Sequence, residues 1–244
     1  MNVLIIGASS GIGKETAHVF SQKGHAVICS SRDQKELEYL VSDLKIRYGN
    51  SAYAVPLDLT DRLSIKQFLD DVYKIYKKID CIVVTAATMP GNEMKYYSEE
   101  GLINTTMTNY IGIALILNVI SQHMVNNNSG IIICLSSVAG ERGRQSNFIY
   151  GASKSALITY LQGLRGMLYR HNVQVTTVLP GYVDTLMSYG KIKGSLAVSP
   201  VYAAKKIYSL IDKKRNTVYI PPVWWLIMKI IKSIPETIFK RLKL

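Results

Sequence analysis

Tyr150 and Lys154 stand four residues apart in the run Tyr150-Gly151-Ala152-Ser153-Lys154, so on a helix both side chains face one way. A free phenol titrates near ~10 and exchanges protons poorly at neutral pH. A nearby ammonium favours the phenolate and brings that value down, which makes the pair an acid–base device. Ser137 stands thirteen residues before Tyr150, just after the apolar run Ile131-Ile132-Ile133-Cys134-Leu135. There its hydroxyl could hold a substrate oxygen within reach of the tyrosine. A lone Tyr-x-x-x-Lys is common on solvated helices. It gains weight from a second motif far upstream.

That motif is Gly7-Ala8-Ser9-Ser10-Gly11-Ile12-Gly13, which follows Val3-Leu4-Ile5-Ile6 and opens an amphipathic stretch. Glycines permit a tight turn and let the main chain approach a pyrophosphate. The next helix then presents free N–H groups and the positive end of its dipole. Strand before and helix after is the context that separates a dinucleotide loop from an ordinary glycine turn. The second apolar run ends Cys29-Ser30-Ser31-Arg32, with Asp33 following. An acid at that strand end would hold the ribose 2′-hydroxyl of NAD(H). The Arg32 guanidinium, beside Ser31, can instead meet the 2′-phosphate of NADP(H) with paired hydrogen bonds. NADP(H) is the expected cofactor. NAD(H), with Asp33 on the ribose, is the lesser alternative.

The elements that must carry these groups alternate regularly. Apolar strands are expected at 3–6, 26–30, 52–57, 80–85, 131–135, 173–179 and 217–220. Helices are expected at 12–23, 34–48, 61–77, 103–124, 153–171 and 200–212. Near-continuous apolar strands separated by helices predict a parallel sheet covered on both faces, hence a Rossmann-like, doubly wound α/β fold in a single domain. Its ligands should collect at the carboxyl ends of the strands. The expected division is a dinucleotide-binding and catalytic domain over 1–220 and an amphipathic basic tail over 221–244.

Hydrophobic residues make up 48% of the 244 and charged residues 19%, which excludes a disordered chain. Cys29, Cys81 and Cys134 each lie in an apolar run, and an odd count without paired spacing predicts reduced, buried thiols. His18, His25, His123 and His171 are scattered, so no metal site is expected. The net charge of +12 is spread along the chain without a nucleic-acid motif, which argues against nucleic acid as partner. No signal peptide is read at Asn2-Val3-Leu4, and no apolar stretch reaches the roughly 18–20 residues of a spanning helix. A cytoplasmic protein is expected.

Together these motifs resemble the short-chain dehydrogenase/reductase family, of the single-domain kind, over residues 1 to 220. The resemblance rests on Gly7-x-x-x-Gly11-x-Gly13, on Asn109 in Asn-Tyr-Ile-Gly112, on Ser137 with Tyr150-x-x-x-Lys154, and on Pro180-Gly181-Tyr182-Val183-Asp184-Thr185. It implies that Tyr150 is general acid in reduction and base in oxidation. Lys154 would lower the tyrosine's pKa and bind the nicotinamide ribose. Ser137 would orient the carbonyl, and Asn109 would hold a water relaying protons to Lys154. Pro180 and Gly181 would border the nicotinamide, Val183 and Thr185 its carboxamide, and Asp58 and Leu59 the adenine. A homodimer or homotetramer, paired through the helices at 103–124 and 153–171, is also implied.

Two departures stand out. The family's Asn-Asn-Ala-Gly is here Thr85-Ala86-Ala87-Thr88, which keeps Ala86 and Ala87 small along the cofactor's path but removes an asparagine bond and a glycine. The last strand runs into Pro221-Pro222-Val223-Trp224-Trp225 and an apolar stretch with five cations against the single acid Glu236. Pro235 should split this tail into two short helices. Two readings of residues 223–244 stand open: a peripheral membrane contact at the inner face of the membrane, or a segment packed on its own subunit or a partner. The tail is similar, more loosely, to those of decaprenylphosphoryl-2-keto-ribose reductases and relatives from surface-polysaccharide pathways. A keto-sugar, lipid-linked or phosphorylated, is therefore the expected substrate. A steroid or fatty-acyl ketone, or a non-catalytic NADP-sensing scaffold, is the alternative. Arg142, Arg144, Tyr189, Lys191 and Lys193 are the side chains expected to meet a polar or anionic substrate.

Overall fold

The computed structural model describes residues 1–89, 98–188 and 196–242. Tyr189, Lys191, Lys193 and Lys243 lie outside these residues. Seven parallel strands form one sheet: β1 (Asn2–Ile6), β2 (Ala26–Ser30), β3 (Ala52–Ala54), β4 (Cys81–Val84), β5 (Gly130–Leu135), β6 (Val173–Pro180) and β7 (Thr217–Ile220). Their spatial order is β3-β2-β1-β4-β5-β6-β7. The chain therefore winds one way from β1 to β3 and the other way from β4 onward. The switch leaves a crevice at the carboxyl ends of β1 and β4. The fold is the expected Rossmann-like doubly wound α/β domain.

Both faces of the sheet are buried, as continuous apolar strands require. Val3, Ile5 and Val27 point to one face and meet Phe20, Leu37 and Ile207. Those residues come from α1 (Gly11–Gln22), α2 (Gln34–Tyr48) and α7 (Pro200–Tyr208). Leu4, Ile6 and Ile82 point to the other face and meet Phe68, Ile116 and Leu161. These come from α3 (Arg62–Ile75), α5 (Gly112–Asn126) and α6 (Phe148–Leu168). Cys29, Cys81 and Cys134 are free and buried, as expected, and burial pushes all three thiols up, Cys29 and Cys134 to about 12.

Several boundaries move, each for a local reason. The third strand stops at Ala54 instead of 57 because Pro56 has no N–H to donate, although Val55 and Leu57 still bond to Cys29 and Ser31. The fourth helix begins early, as α4 (Glu99–Thr106), capped by the Ser98 hydroxyl with Glu99 and Glu100 in its first turn. A π turn, Met107–Ile111, joins α4 to α5. The continuous run Glu99–Asn126 is, contrary to the sequence reading, long and apolar enough to cross a membrane by length and composition. Its Ile113, Ile116, Leu117 and Ile120 are fully buried against the sheet, so it serves as a core helix. After β7 come α8 (Val223–Ser233) and α9 (Glu236–Phe239), separated at Pro235 as expected.

Candidate active site

The glycine loop is built by close approach. Gly7 and Gly11 have φ of 91° and 52°, the left-handed region that favours glycine. A Cβ at Gly13 would lie 2.0 Å from the Gly7 carbonyl oxygen and 2.5 Å from the Thr85 hydroxyl, so only glycine lets α1 start here. Ser10 caps α1 without a side-chain bond, and no acid lies in the first turn. The helix thus presents free N–H groups and an unopposed positive dipole end. The departure at residue 85 is made good locally, because the Thr85 hydroxyl reaches the carbonyls of Ile6 and Gly7 at 2.9 and 3.0 Å. Thr88 takes the place of a glycine using backbone alone. Its N–H donates to Asn109 Oδ1 and its carbonyl accepts from Asn109 Nδ2, both at 2.8 Å.

The residues expected to carry the chemistry hang on the junction between β5 and α6. The Ser136 hydroxyl donates to the Lys154 carbonyl at 2.8 Å, and Lys154 Nζ donates to the Leu135 carbonyl at 3.1 Å. Ser137 follows and caps a 3₁₀ turn, Val138–Gly140, by accepting from Ala139 N–H. That turn lies against α6 through Gly140, where a Cβ would come within 2.7 Å of the Lys154 carbonyl carbon. The helix begins at Phe148, five residues before the expected 153, so Tyr150 sits in its first turn. Lys154 is only 1% exposed. Burial pushes it down to about 8, against a smaller upward pull from Cys134.

One cavity of about 710 Å³ gathers these parts. It is lined by every residue expected to bind cofactor: Gly7, Ser9, Ser10, Gly11, Ile12 and Gly13 from the loop, Ser31 and Arg32 after β2, and Asp58 and Leu59 after β3. It is also lined by Ala86 and Ala87 after β4, and by Pro180, Gly181, Val183 and Thr185 after β6. Ser137, Tyr150 and Lys154 line it too. Asn109 does not. Its side chain is fully buried and spent on Thr88 and on Ser153 Oγ, at 3.0 Å. Arg32 and Asp33 are both exposed and both line the cavity, and Asp33 also caps α2, its Oδ1 accepting from Glu36 N–H at 3.0 Å. Burial pushes the Asp58 carboxyl up, but Thr60's hydroxyl and N–H and the charge of Arg32 hold it below the usual range.

The substrate-side arginines divide. Arg142 is turned away from the cavity and grips the tail, donating to the carbonyls of Ile231, Lys232 and Ile234 and pairing with Glu236 at 3.1 Å. Its expected contact with substrate is thus replaced by a packing role. Arg144 does line the cavity. Sequence reasoning missed Trp224 here: it is 5% exposed, packs with Val138, Leu179 and Met228, and lines the cavity. A signal existed. Trp224, Ile227, Met228 and Ile231 fall at helical spacing, which marks the buried stripe and sets Trp225 outside it.

Residues 1–194 match the short chain dehydrogenase family profile. The chain belongs to the short-chain dehydrogenase/reductase family. A fruit-fly (Drosophila melanogaster) relative, dehydrogenase/reductase SDR family protein 7-like, is 30% identical over 91% of this chain and 72% of its own. The ketoacyl reductase HetN of Nostoc is 27% identical over 89% of this chain and 77% of its own. A short-chain dehydrogenase from Sphingobium yanoikuyae, solved with NADPH, superposes with a TM-score of 0.83 at 22% identity over 96% of each chain, which shows the shared fold. This member of the family is an NAD(P)-dependent oxidoreductase.

Proposed function

We propose that this oxidoreductase is an NADPH-dependent reductase of a keto-sugar, lipid-linked or phosphorylated, acting in cell-surface polysaccharide synthesis. The observation that carries the reductase reading is the convergence of Ser137, Tyr150 and Lys154 on one cavity with the glycine loop. The loop's glycine-only approaches and the acid-free start of α1 fit a dinucleotide pyrophosphate. The exposed Arg32 at the cavity, with one oxygen of Asp33 accepting at its helix cap, favours a 2′-phosphate, hence NADP(H) over NAD(H).

When bound, the nicotinamide supplies the hydride. Ser137, whose oxygen accepts from Ala139 N–H and keeps its own proton to give, orients the carbonyl oxygen. Tyr150 donates the proton to that oxygen. Lys154, buried and one helical turn on, supplies a positive charge that favours the phenolate left behind. Asn109 acts by fixing the loop at Thr88. Any relay water near it would be held by its main-chain carbonyl, since the amide is spent. Thr85 substitutes for the family asparagine at the loop's root.

The exposed side of the tail, Trp225, Leu226 and Ile230 beside Lys229, supports a peripheral membrane contact at the cytoplasmic face, and hence a lipid-linked substrate. A homodimer or homotetramer completes this reading. The second reading, a ketoreductase of a hydrophobic acyl carbonyl, is favoured by the similarity to HetN. Purified protein should oxidise NADPH with keto-sugar phosphates, and Tyr150→Phe should lose turnover by at least about a hundredfold while still binding NADPH. Normal turnover in that variant would overturn the mechanism.

A further inference from the structure

The substrate end of the cavity holds polar groups that the protein itself leaves unanswered. Arg144 Nε and Trp224 Nε1 are buried donors without a hydrogen-bond partner, and Asn147 Oδ1 is a buried acceptor without one. All three residues line the same cavity as Tyr150. Among the described residues, Arg144 forms no ion pair with any carboxylate. Its terminal nitrogen lies 3.6 Å from Met228 Sδ, a weak acceptor. Burial holds the guanidinium below its ordinary pKa, and the Tyr182 phenol is the group opposing that. Trp224 stacks edge-on against Tyr182, with ring centroids 5.3 Å apart. Its nitrogen lies so close over Gly181 that a Cβ there would come within 1.9 Å of it.

A half-buried guanidinium without a counter-ion is costly, and so is a buried indole N–H without an acceptor. Such groups are answered by a water, an ion or a ligand, and in a cavity open to substrate a ligand can do so. We infer that Arg144 and Trp224 form a subsite for an oxyanion of the substrate, carboxylate or phosphate, with Asn147 accepting from a neighbouring hydroxyl. This inference rests on the reductase reading above and names what that active site selects. An aliphatic acyl ketone would fill the same space and leave all three groups unpaired. A site built around such groups rejects an analogue that lacks them. The appended helix α8 would then be a specificity element, since it brings Trp224 to the cavity and sets Met228 against Arg144.

The test compares matched carbonyl substrates with NADPH. One arm pairs 3-oxo and 4-oxo carboxylates with their methyl esters. The other pairs keto-sugar phosphates with the dephosphorylated sugars. The wild-type enzyme should favour the charged member of at least one arm by about tenfold or more in kcat/KM, and the arm that responds identifies the oxyanion. Arg144→Gln should erase that ratio, Arg144→Lys should keep part of it, and Trp224→Phe should lower it severalfold. Equal use of charged and neutral members, or a ratio untouched by Arg144→Gln, overturns the subsite. If NADPH binds and no carbonyl of either arm is reduced, the reductase reading fails instead. The subsite is then decided by thermal shift of the NADP⁺-loaded protein with the same carboxylates and phosphates. Protection in wild type that Arg144→Gln loses supports it, and equal or absent protection refutes it.

Discussion

The guanidinium of Arg142 donates at 2.7 Å to the carbonyl of Ile231, eighty-nine residues away, and lies 3.8 Å over the ring of Phe239. One side chain thus satisfies the carbonyls that end α8 and anchors α9 behind it. Arg142→Ala should cost roughly 1–3 kcal/mol, the range for a buried charge-assisted bond removed from its partners. Limited proteolysis should then cut within residues 223–242 before the sheet is touched. A variant whose tail resists protease like the wild type would show that α8 is held by its apolar stripe alone.

Lys154 makes stability depend on pH in a direction opposite to an ordinary surface lysine. Burial lowers its folded value to about 8 from 10.5, so between those two values the unfolded chain binds more protons than the folded one. Unfolding free energy of the cofactor-free protein should therefore rise over that window, by at most about 3 kcal/mol. Below about pH 8 the cost of the buried ammonium is carried in full. Lys154→Met should flatten the rise while abolishing the acid–base function. Denaturant titrations of both proteins across the window decide it, and parallel curves would refute the assignment.

Arg32 and Asp33 both line the cavity, and one oxygen of Asp33 is taken up at its helix cap. Arg32→Asp should lower kcat/KM with NADPH by about tenfold or more relative to NADH, since one good charge-assisted contact exchanged for repulsion exceeds 1.4 kcal/mol. An unchanged NADPH-to-NADH ratio would remove Arg32 from the 2′-phosphate site.

The outer side of α8 tests the membrane reading. Trp225, Leu226 and Ile230 are about half exposed, and Lys229 lies 3.8 Å over the Trp225 ring. Trp225→Ser with Ile230→Ser should reduce co-sedimentation with anionic vesicles severalfold and leave the fold intact, because neither side chain is buried. Equal vesicle binding by the double variant would leave the tail a packing element only.

Much of this was legible from local pattern. The glycine loop, the Tyr150–Lys154 spacing and the alternating apolar runs depend on contacts close in sequence or on strand periodicity, and the sheet follows from them. The position of Trp224 and the fate of Arg142 depend on contacts made across some ninety residues, where no local rule operates. An amphipathic tail reads alike whether its apolar side meets lipid or its own domain, and here the Trp224–Met228 stripe meets the domain. The early start of α4 was encoded in Ser98-Glu99-Glu100, an ordinary capping signal just outside the apolar window. The altered loop at Thr85 was the hardest to foresee, because a hydroxyl one carbon from the backbone replaces a longer amide only if the two carbonyls it must reach already converge.

The placement of Trp224 also sets an order in time. Chains are made from the N-terminus, and domains acquire structure as they emerge. The residues of the glycine loop, of β5 and of α6 all precede α8, so the growing chain carries them before it carries Trp224, the last-made part of the cavity wall. The cavity is thus closed last, by an appended helix. That wall could be exchanged by grafting a different closing helix onto an unchanged sheet.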